Sequence, residues 1–329
     1  MSTPTAQLSH VTPTHVNFDS EFHEFMNVRK NEITAILTKK ENELSEKVDK
    51  YRADFEHEHK LAEEARQNTR KCLEILDGFS QFELGRFLLK NRGLDGFWTS
   101  YVVQHPYQKK SGLSEWEDWI LNRSILSRAT QERFVHFQNF IKSHLENNSR
   151  VASIPSGLMD DFLCLNLKDY LNLELYAVDI DKNSLELAEE RFRKLNLDHQ
   201  FFPVCANAWK FNKVNYFDMI VSNGLTIYEH NDDKVEELFR KFYTMLKPGG
   251  QIITSTLLPY YEWNATEDEI DLETMVTKLI IKANFVFEGF GEGRGVKRVF
   301  ELLMRAGFND LKYVNDSKNV FPTIRAIKC

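Results

Sequence analysis

Cysteine is scarce: four occur in 329 residues, at 72, 164, 205 and 329, with no CxxC pair and no Cys/His cluster. That scatter argues against a disulfide framework and against a zinc site. Long hydrophobic runs are missing too. No stretch approaches the ~18 consecutive apolar residues a membrane helix needs, and the opening MSTPTAQLSHVTPTH lacks the basic and apolar regions of a signal peptide. These absences predict a cytoplasmic protein with no membrane partner, secretion without a cleaved signal being a route this sequence would not reveal. Positive charge is not in excess either. A formal net charge of -7 and a pI near 5.9 lack the footprint of a nucleic-acid binder, so no nucleic-acid partner is expected. What is present is 42% apolar residues, in a chain long enough for one large or two ordinary domains.

Three regions follow from composition. Residues 1–17, rich in Thr, Ser, Pro and His, have little to bury and predict a disordered tail. Residues 18–148 predict a helical region. Its first part places Phe22, Met26, Ile33, Leu37, Leu44 and Val48 at mostly three- and four-residue steps or their sums, the signature of a long helix or helical hairpin. Such a helix packs on the rest of the chain or pairs with a second copy, so a monomer and a homodimer through these helices are both expected. His57 and His59 sit among glutamates without a third ligand at suitable spacing, so no metal is expected. Residues 77–113 then combine short helical runs with glycines and Pro106 in an aromatic-rich, lid-like segment. Phe97, Trp98 and Tyr101 stand there either as a pocket wall or as core.

Residues 149–329 alternate strand and helix. An apolar run at 151–154 meets the breakers Pro155, Ser156 and Gly157, and a helix is expected to open at Gly157, with Asp160 and Asp161 in its first turn. A second strand ends at Asp179. Further strands are expected at 200–205, 217–221 and 251–258, the last after the stop signal Lys-Pro-Gly-Gly, and two closing strands at 311–314 and 323–328 are joined too closely to be parallel. Residues 259–293 read as an insertion. The pattern is α/β: five parallel strands plus a closing antiparallel pair, helices on both faces, and an all-α region in front. In such a sheet the carboxyl ends of the strands form the ligand crevice. A glycine turn after the first strand and an acid after the second therefore face one nucleoside, whose ribose diol a carboxylate such as Asp179 can hold.

Four segments carry a family resemblance: YAVDIDKNSLELAEERF, ANAW, FDMIVSNGLTIYEH and LKPGGQIITS. With the closing pair they resemble the Rossmann-like S-adenosylmethionine-dependent methyltransferases over about residues 149–329. The resemblance implies S-adenosylmethionine as cofactor, S-adenosylhomocysteine as product and no metal. It assigns Asp179 to the ribose, Ile180, Asn207 and Ala208 to the adenine, and Ser222 and Asn223 to the methionine half. The first motif departs from the family pattern, because ASIPSGLMDD has Ser153 and Gly157 where the family usually has an acid and two or three glycines. Fourth-strand NPPY or DPPY is replaced by SNGL.

Methyl transfer is an in-line displacement on a sulfonium carbon that asks mainly for alignment and exclusion of water, so no triad is expected, whether oxygen, nitrogen or carbon is the acceptor atom. A hydroxyl acceptor needs a base. Candidates on predicted loops are Glu229, His230 and His105, with Tyr228 as a further candidate or a pocket wall. A helical cover over the crevice suits a small-molecule acceptor. A protein acceptor, and a catalytically inactive scaffold on the same fold, remain the alternatives.

Overall fold

The computed structural model describes residues 55–91, 93–108, 111–280 and 293–329, with 24, 26–28, 30, 31, 34, 35, 38 and 39. The tail expected over 1–17, most of the predicted long helix before 55, and 281–292 of the expected insertion lie outside the described residues. Two compact units divide the chain at Leu89 and Lys90. In the first, α1 (Phe55–Ser80) turns at Gln81 into α2 (Glu83–Asn91). Ile75, Leu76, Phe79, Leu84 and Leu88 are buried, and the Phe79 and Phe82 rings meet at 5.4 Å. The two helices approach so closely that a Cβ on Gly85 would stand 2.0 Å from the Phe79 carbonyl oxygen, which requires glycine there. Lys30 pairs with Asp77.

The second unit opens with α3 (Gly96–Gln108), α4 (Glu115–Asp118), a π-helical turn (Trp119–Arg123) and α5 (Ile125–His144). Its sheet has the strands β1 (Arg150–Ser153), β2 (Glu174–Asp179), β3 (Phe201–Cys205), β4 (Phe217–Ser222), β5 (Leu246–Ser255), β6 (Phe308–Val314) and β7 (Thr323–Lys328). They lie in the order β3-β2-β1-β4-β5-β7-β6, with β7 antiparallel to both neighbours and the other pairings parallel. Between them run α6 (Asp160–Leu163), α7 (Lys182–Lys194), α8 (Asp232–Met245), α9 (Glu267–Ile280) and α10 (Val296–Arg305). One face of the sheet buries Ile220, Ile252 and Ile324 against Phe239 and Phe242 of α8 and Leu302 of α10. The other buries Val151, Leu175 and Ile253 against Phe137 and Ile141 of α5, Phe162 of α6 and Phe192 of α7. Period-2 strands between two amphipathic helix layers give this three-layer arrangement.

Three local expectations need correction. The helix expected at Gly157 is the four-residue α6, followed by a 3₁₀ turn at Leu167–Asp169; Met159 before it takes a left-handed φ of 60°. Of the apolar residues behind that expectation, Met159, Phe162, Leu163 and Leu167 are buried and Leu165 is half-buried, with only Phe162 and Leu163 in α6. The fifth strand begins at Leu246, not at 251, because Leu246 already pairs with Phe217 and the Lys-Pro-Gly-Gly segment is carried in the strand across a register shift, with Gly249 at φ 77°. His105 lies inside α3 rather than on a loop, Pro106 being accommodated in the last turn of that helix.

Two contacts fix the helices that border the strand ends. At the start of α3, a Cβ on Gly96 would lie 2.3 Å from Ser184 Oγ and 2.8 Å from Leu158 Cδ1, and Ser184 is itself held by Asp181 at 2.6 Å. At the start of α5, the buried Glu273 of α9 accepts from Ser124 Oγ and from the Ile125 N–H, both at 2.8 Å. Burial pushes the Glu273 carboxyl up to about 7, against hydrogen bonds that favour its charged form.

Gly96→Ala is therefore expected to cost ~1–3 kcal/mol through overpacking, seen as a lower melting temperature of the full chain. An unchanged melt would show that α3 is not seated by this contact. Glu273 binds its proton more tightly folded than unfolded, so its contribution is present below its ordinary value of 4.5 and is lost as pH rises through about 7. The melting temperature of Glu273→Gln relative to wild type is thus expected to climb between these two pH values. A pH-independent difference would refute the buried, proton-holding carboxyl.

Candidate active site

The carboxyl ends of β1 to β4 form one edge, and Ser153, Gly157, Asp179, Ile180, Asn207, Ala208, Ser222 and Asn223 all stand at it. After β1 the chain folds into a turn whose N–H groups are engaged internally: Ser156 donates to Val178 O (3.1 Å), Gly157 to Asp179 Oδ2 (2.9 Å) and Met159 to Ser156 O (3.0 Å). Gly157 has φ 47°, which glycine adopts without strain. Asp179 is 9% exposed, and its second oxygen accepts the Asp181 N–H at 3.0 Å. A carboxylate offers about four lone-pair positions, so two remain after these backbone bonds. Next to it Ile180 is 72% exposed, an apolar side chain left in water beside a carboxylate. Asn207 is exposed with Oδ1 on the Trp209 N–H (2.9 Å), and Ala208 is half-buried.

Charge at this edge is negative toward β2. Asp181 caps α7 through the Asn183 N–H (3.0 Å), and Asp95 caps α3 through the Trp98 N–H (2.8 Å). Burial first, and then the charge of Asp181, holds the Asp95 carboxyl above its ordinary range despite that N–H.

Beyond β1 the edge changes. Ser222 is fully buried and its Oγ has no hydrogen-bond partner; Asn223 Nδ2 reaches Asp161 Oδ2 at 3.4 Å, while Asn223 Oδ1 and Asp161 Oδ1 are shielded and unpartnered. Burial, and next to it the charge of Asp160, raises the Asp161 carboxyl to about 7, against the Asn223 bond and Arg133. Sequence reasoning treated Asp160 and Asp161 as helix-dipole residues. Instead Asp160 takes the Arg191 guanidinium at 2.7 Å, Ser100 Oγ at 3.0 Å and Gln104 Nε2 at 3.2 Å, joining α3, α6 and α7.

Arg133 of α5 was not singled out by sequence, since one arginine on an amphipathic helix reads as solvated surface. It is 9% exposed, lies 4.4 Å over the Phe321 ring and stands 3.8 and 3.9 Å from where a Cβ on Gly224 would be. Burial lowers its pKa.

The candidate bases and wall residues divide. Glu229 engages the Asn231 N–H (2.9 Å) and Lys234 (3.4 Å), and its carbonyl accepts from Arg294 at 2.5 Å. Tyr228, at the end of a 3₁₀ turn after β4, and His230 are exposed. His105 faces Asn122 Oδ1 at 3.0 Å. Phe97, Trp98 and Tyr101 form an edge-to-face series at 5.0 and 5.4 Å, and Tyr101 donates to Glu117 at 2.7 Å. Among the described residues no group of three His, Cys, Asp or Glu could hold a metal ion, and no helix is long and apolar enough to cross a membrane.

Residues 162–250 match the family model of a methyltransferase domain. No curated protein matches the chain. Among solved structures, a candidate exported protein from Bordetella parapertussis is 32% identical over 79% of this chain and 88% of its own, with a TM-score of 0.73. A candidate O-methyltransferase from Nostoc punctiforme is 15% identical over 77% and 71% of the two chains (TM-score 0.48). A phosphoethanolamine N-methyltransferase from Haemonchus contortus, in complex with S-adenosylmethionine, is 14% identical over 66% and 60% (TM-score 0.45). With the matched domain, the strand order and the reversed β7, the chain belongs to the Rossmann-like class I S-adenosylmethionine-dependent methyltransferases.

Proposed function

We propose that this chain binds S-adenosylmethionine along the carboxyl ends of β1–β4 and methylates a small-molecule acceptor held beside α3 and α5. The observation that carries the reading is Asp179: a nearly buried carboxylate with lone pairs left over, flanked by the exposed apolar Ile180. That pair fits a nucleoside, the acid taking the ribose diol and the isoleucine one face of the adenine. The shielded, unpartnered atoms of Ser222, Asn223 and Asp161 fit the polar amino-acid end.

When bound, the cofactor supplies an electrophilic methyl carbon on a sulfonium. The acceptor's lone pair forms the new bond to that carbon, the carbon–sulfur bond breaks, and its electron pair stays on sulfur in S-adenosylhomocysteine. The protein's part is to orient the reactants and exclude water. A hydroxyl acceptor must also lose a proton. Tyr228, Glu229 and His230, which follow β4, are the candidates to take it, Glu229 being held by the Asn231 N–H and Lys234.

Calorimetric titration of S-adenosylmethionine and S-adenosylhomocysteine into the full chain, after mass spectrometry for ligand carried through purification, tests the reading. Asp179→Ala is expected to weaken both by at least roughly tenfold, about 1.4 kcal/mol. A melting curve accompanies it, because Asp179 also holds the Gly157 turn. Undiminished binding in the variant would remove Asp179 from the site. Folded, ligand-free wild type that binds neither nucleoside would favour the scaffold reading, and methylation of a peptide but no small molecule would favour the protein acceptor.

A further inference from the structure

Among the described residues, Arg133 is a buried cation with no carboxylate in contact, although the charges of Asp161 and Asp316 reach it. Its Nε is shielded and unpartnered, neither terminal nitrogen has a hydrogen-bond acceptor among the described residues, and no described carboxylate lies within the 4.0 Å of an ion pair. The acids whose charge reaches it are engaged elsewhere. Asp316 is occupied by the backbone N–H groups of Lys318, Val320 and Phe321, and Asp161 is turned to Asn223. A guanidinium held this way gives up most of its hydration for the Phe321 face and charges beyond contact, a net cost that a bound anion would offset.

Position says where that anion would lie. Gly224 follows β4 and Phe321 precedes β7, so the guanidinium stands at the carboxyl edge of the sheet, on the β4 side of the first-strand turn. The backbone of that turn is a poor alternative receptor. The N–H groups of Ser156, Gly157 and Met159 are already bonded within the protein, and α6 has only four residues.

We infer that Arg133, held over the Phe321 ring, is the receptor for a carboxylate at this edge. Its planar fork suits a carboxylate held by two parallel bonds. The carboxylate has two sources, the amino-acid end of the cofactor or an acidic acceptor, and the first source rests on the cofactor reading above.

The test uses the full chain as wild type, Arg133→Met and Arg133→Lys. Three probes are titrated: S-adenosylhomocysteine; 5′-methylthioadenosine, which keeps the nucleoside and lacks the aminocarboxylate; and benzoate beside neutral benzamide, with and without saturating S-adenosylhomocysteine. If the cofactor supplies the carboxylate, Arg133→Met loses about ten- to a hundredfold in S-adenosylhomocysteine affinity and Arg133→Lys less, while 5′-methylthioadenosine binds as before. If the acceptor supplies it, S-adenosylhomocysteine affinity holds, and the saturated wild type binds benzoate over benzamide in a way Arg133→Met abolishes. Either result supports the receptor. Parallel loss of both nucleosides in both variants would mean a damaged fold and overturn it, as would no Arg133-dependent carboxylate binding in any arm. Wild type that binds neither nucleoside but binds benzoate through Arg133 would defeat the cofactor reading and leave the receptor standing.

Discussion

The partly buried Asp160–Arg191 ion pair is the constraint on which the candidate site depends. A four-residue helix has no stability of its own, since nucleation costs more than one turn returns. What holds α6 at the end of β1 is Phe162 in the core and Asp160 on Arg191, Ser100 and Gln104. The same bonds seat α3 on α6 and α7. Such a pair adds little net stability after desolvation, but it tolerates few geometries. The edge of the sheet and the helix beside it are thereby one piece.

Asp179 completes the edge by a division of its lone pairs. Two secure the backbone at Gly157 and Asp181, closing a turn that contains a single glycine and a left-handed Met159 where a richer glycine motif would bend more freely. Across the edge the electrostatics are graded, with Asp95, Asp179 and Asp181 toward β2 and the buried guanidinium of Arg133 near the ends of β4 and β7. On the proposed reading, a ligand with a diol at one end and an acid at the other would meet a complementary group at each.

Much of this was legible in the sequence. The strands are short apolar runs between breakers, and β7 has the bounds that its alternation implies. Asp179 stood out as the carboxylate that closes the second strand, while its bonds to the Gly157 and Asp181 N–H groups depend on the folded turn. Other features depend on tertiary packing. Pro248 and Gly249 signal a turn locally, yet the pairing of Leu246 with Phe217 draws them into β5. Met159, Phe162, Leu163, Leu165 and Leu167 mimic the face of a longer helix, though only Phe162 and Leu163 lie in α6. Pro106 suggests a break that the rest of α3 overrides. Arg133 and Glu273 left no trace, because nothing in a helical repeat distinguishes a charge turned inward from one turned out.

The exposed Ile180 has a thermodynamic corollary. Its apolar surface is hydrated in the free protein, and a nucleobase laid on it would release that water along with the water on its own face. Association at this edge would then carry a negative change in heat capacity, with its enthalpy becoming more favourable as temperature rises, while the polar bonds at the ribose set orientation.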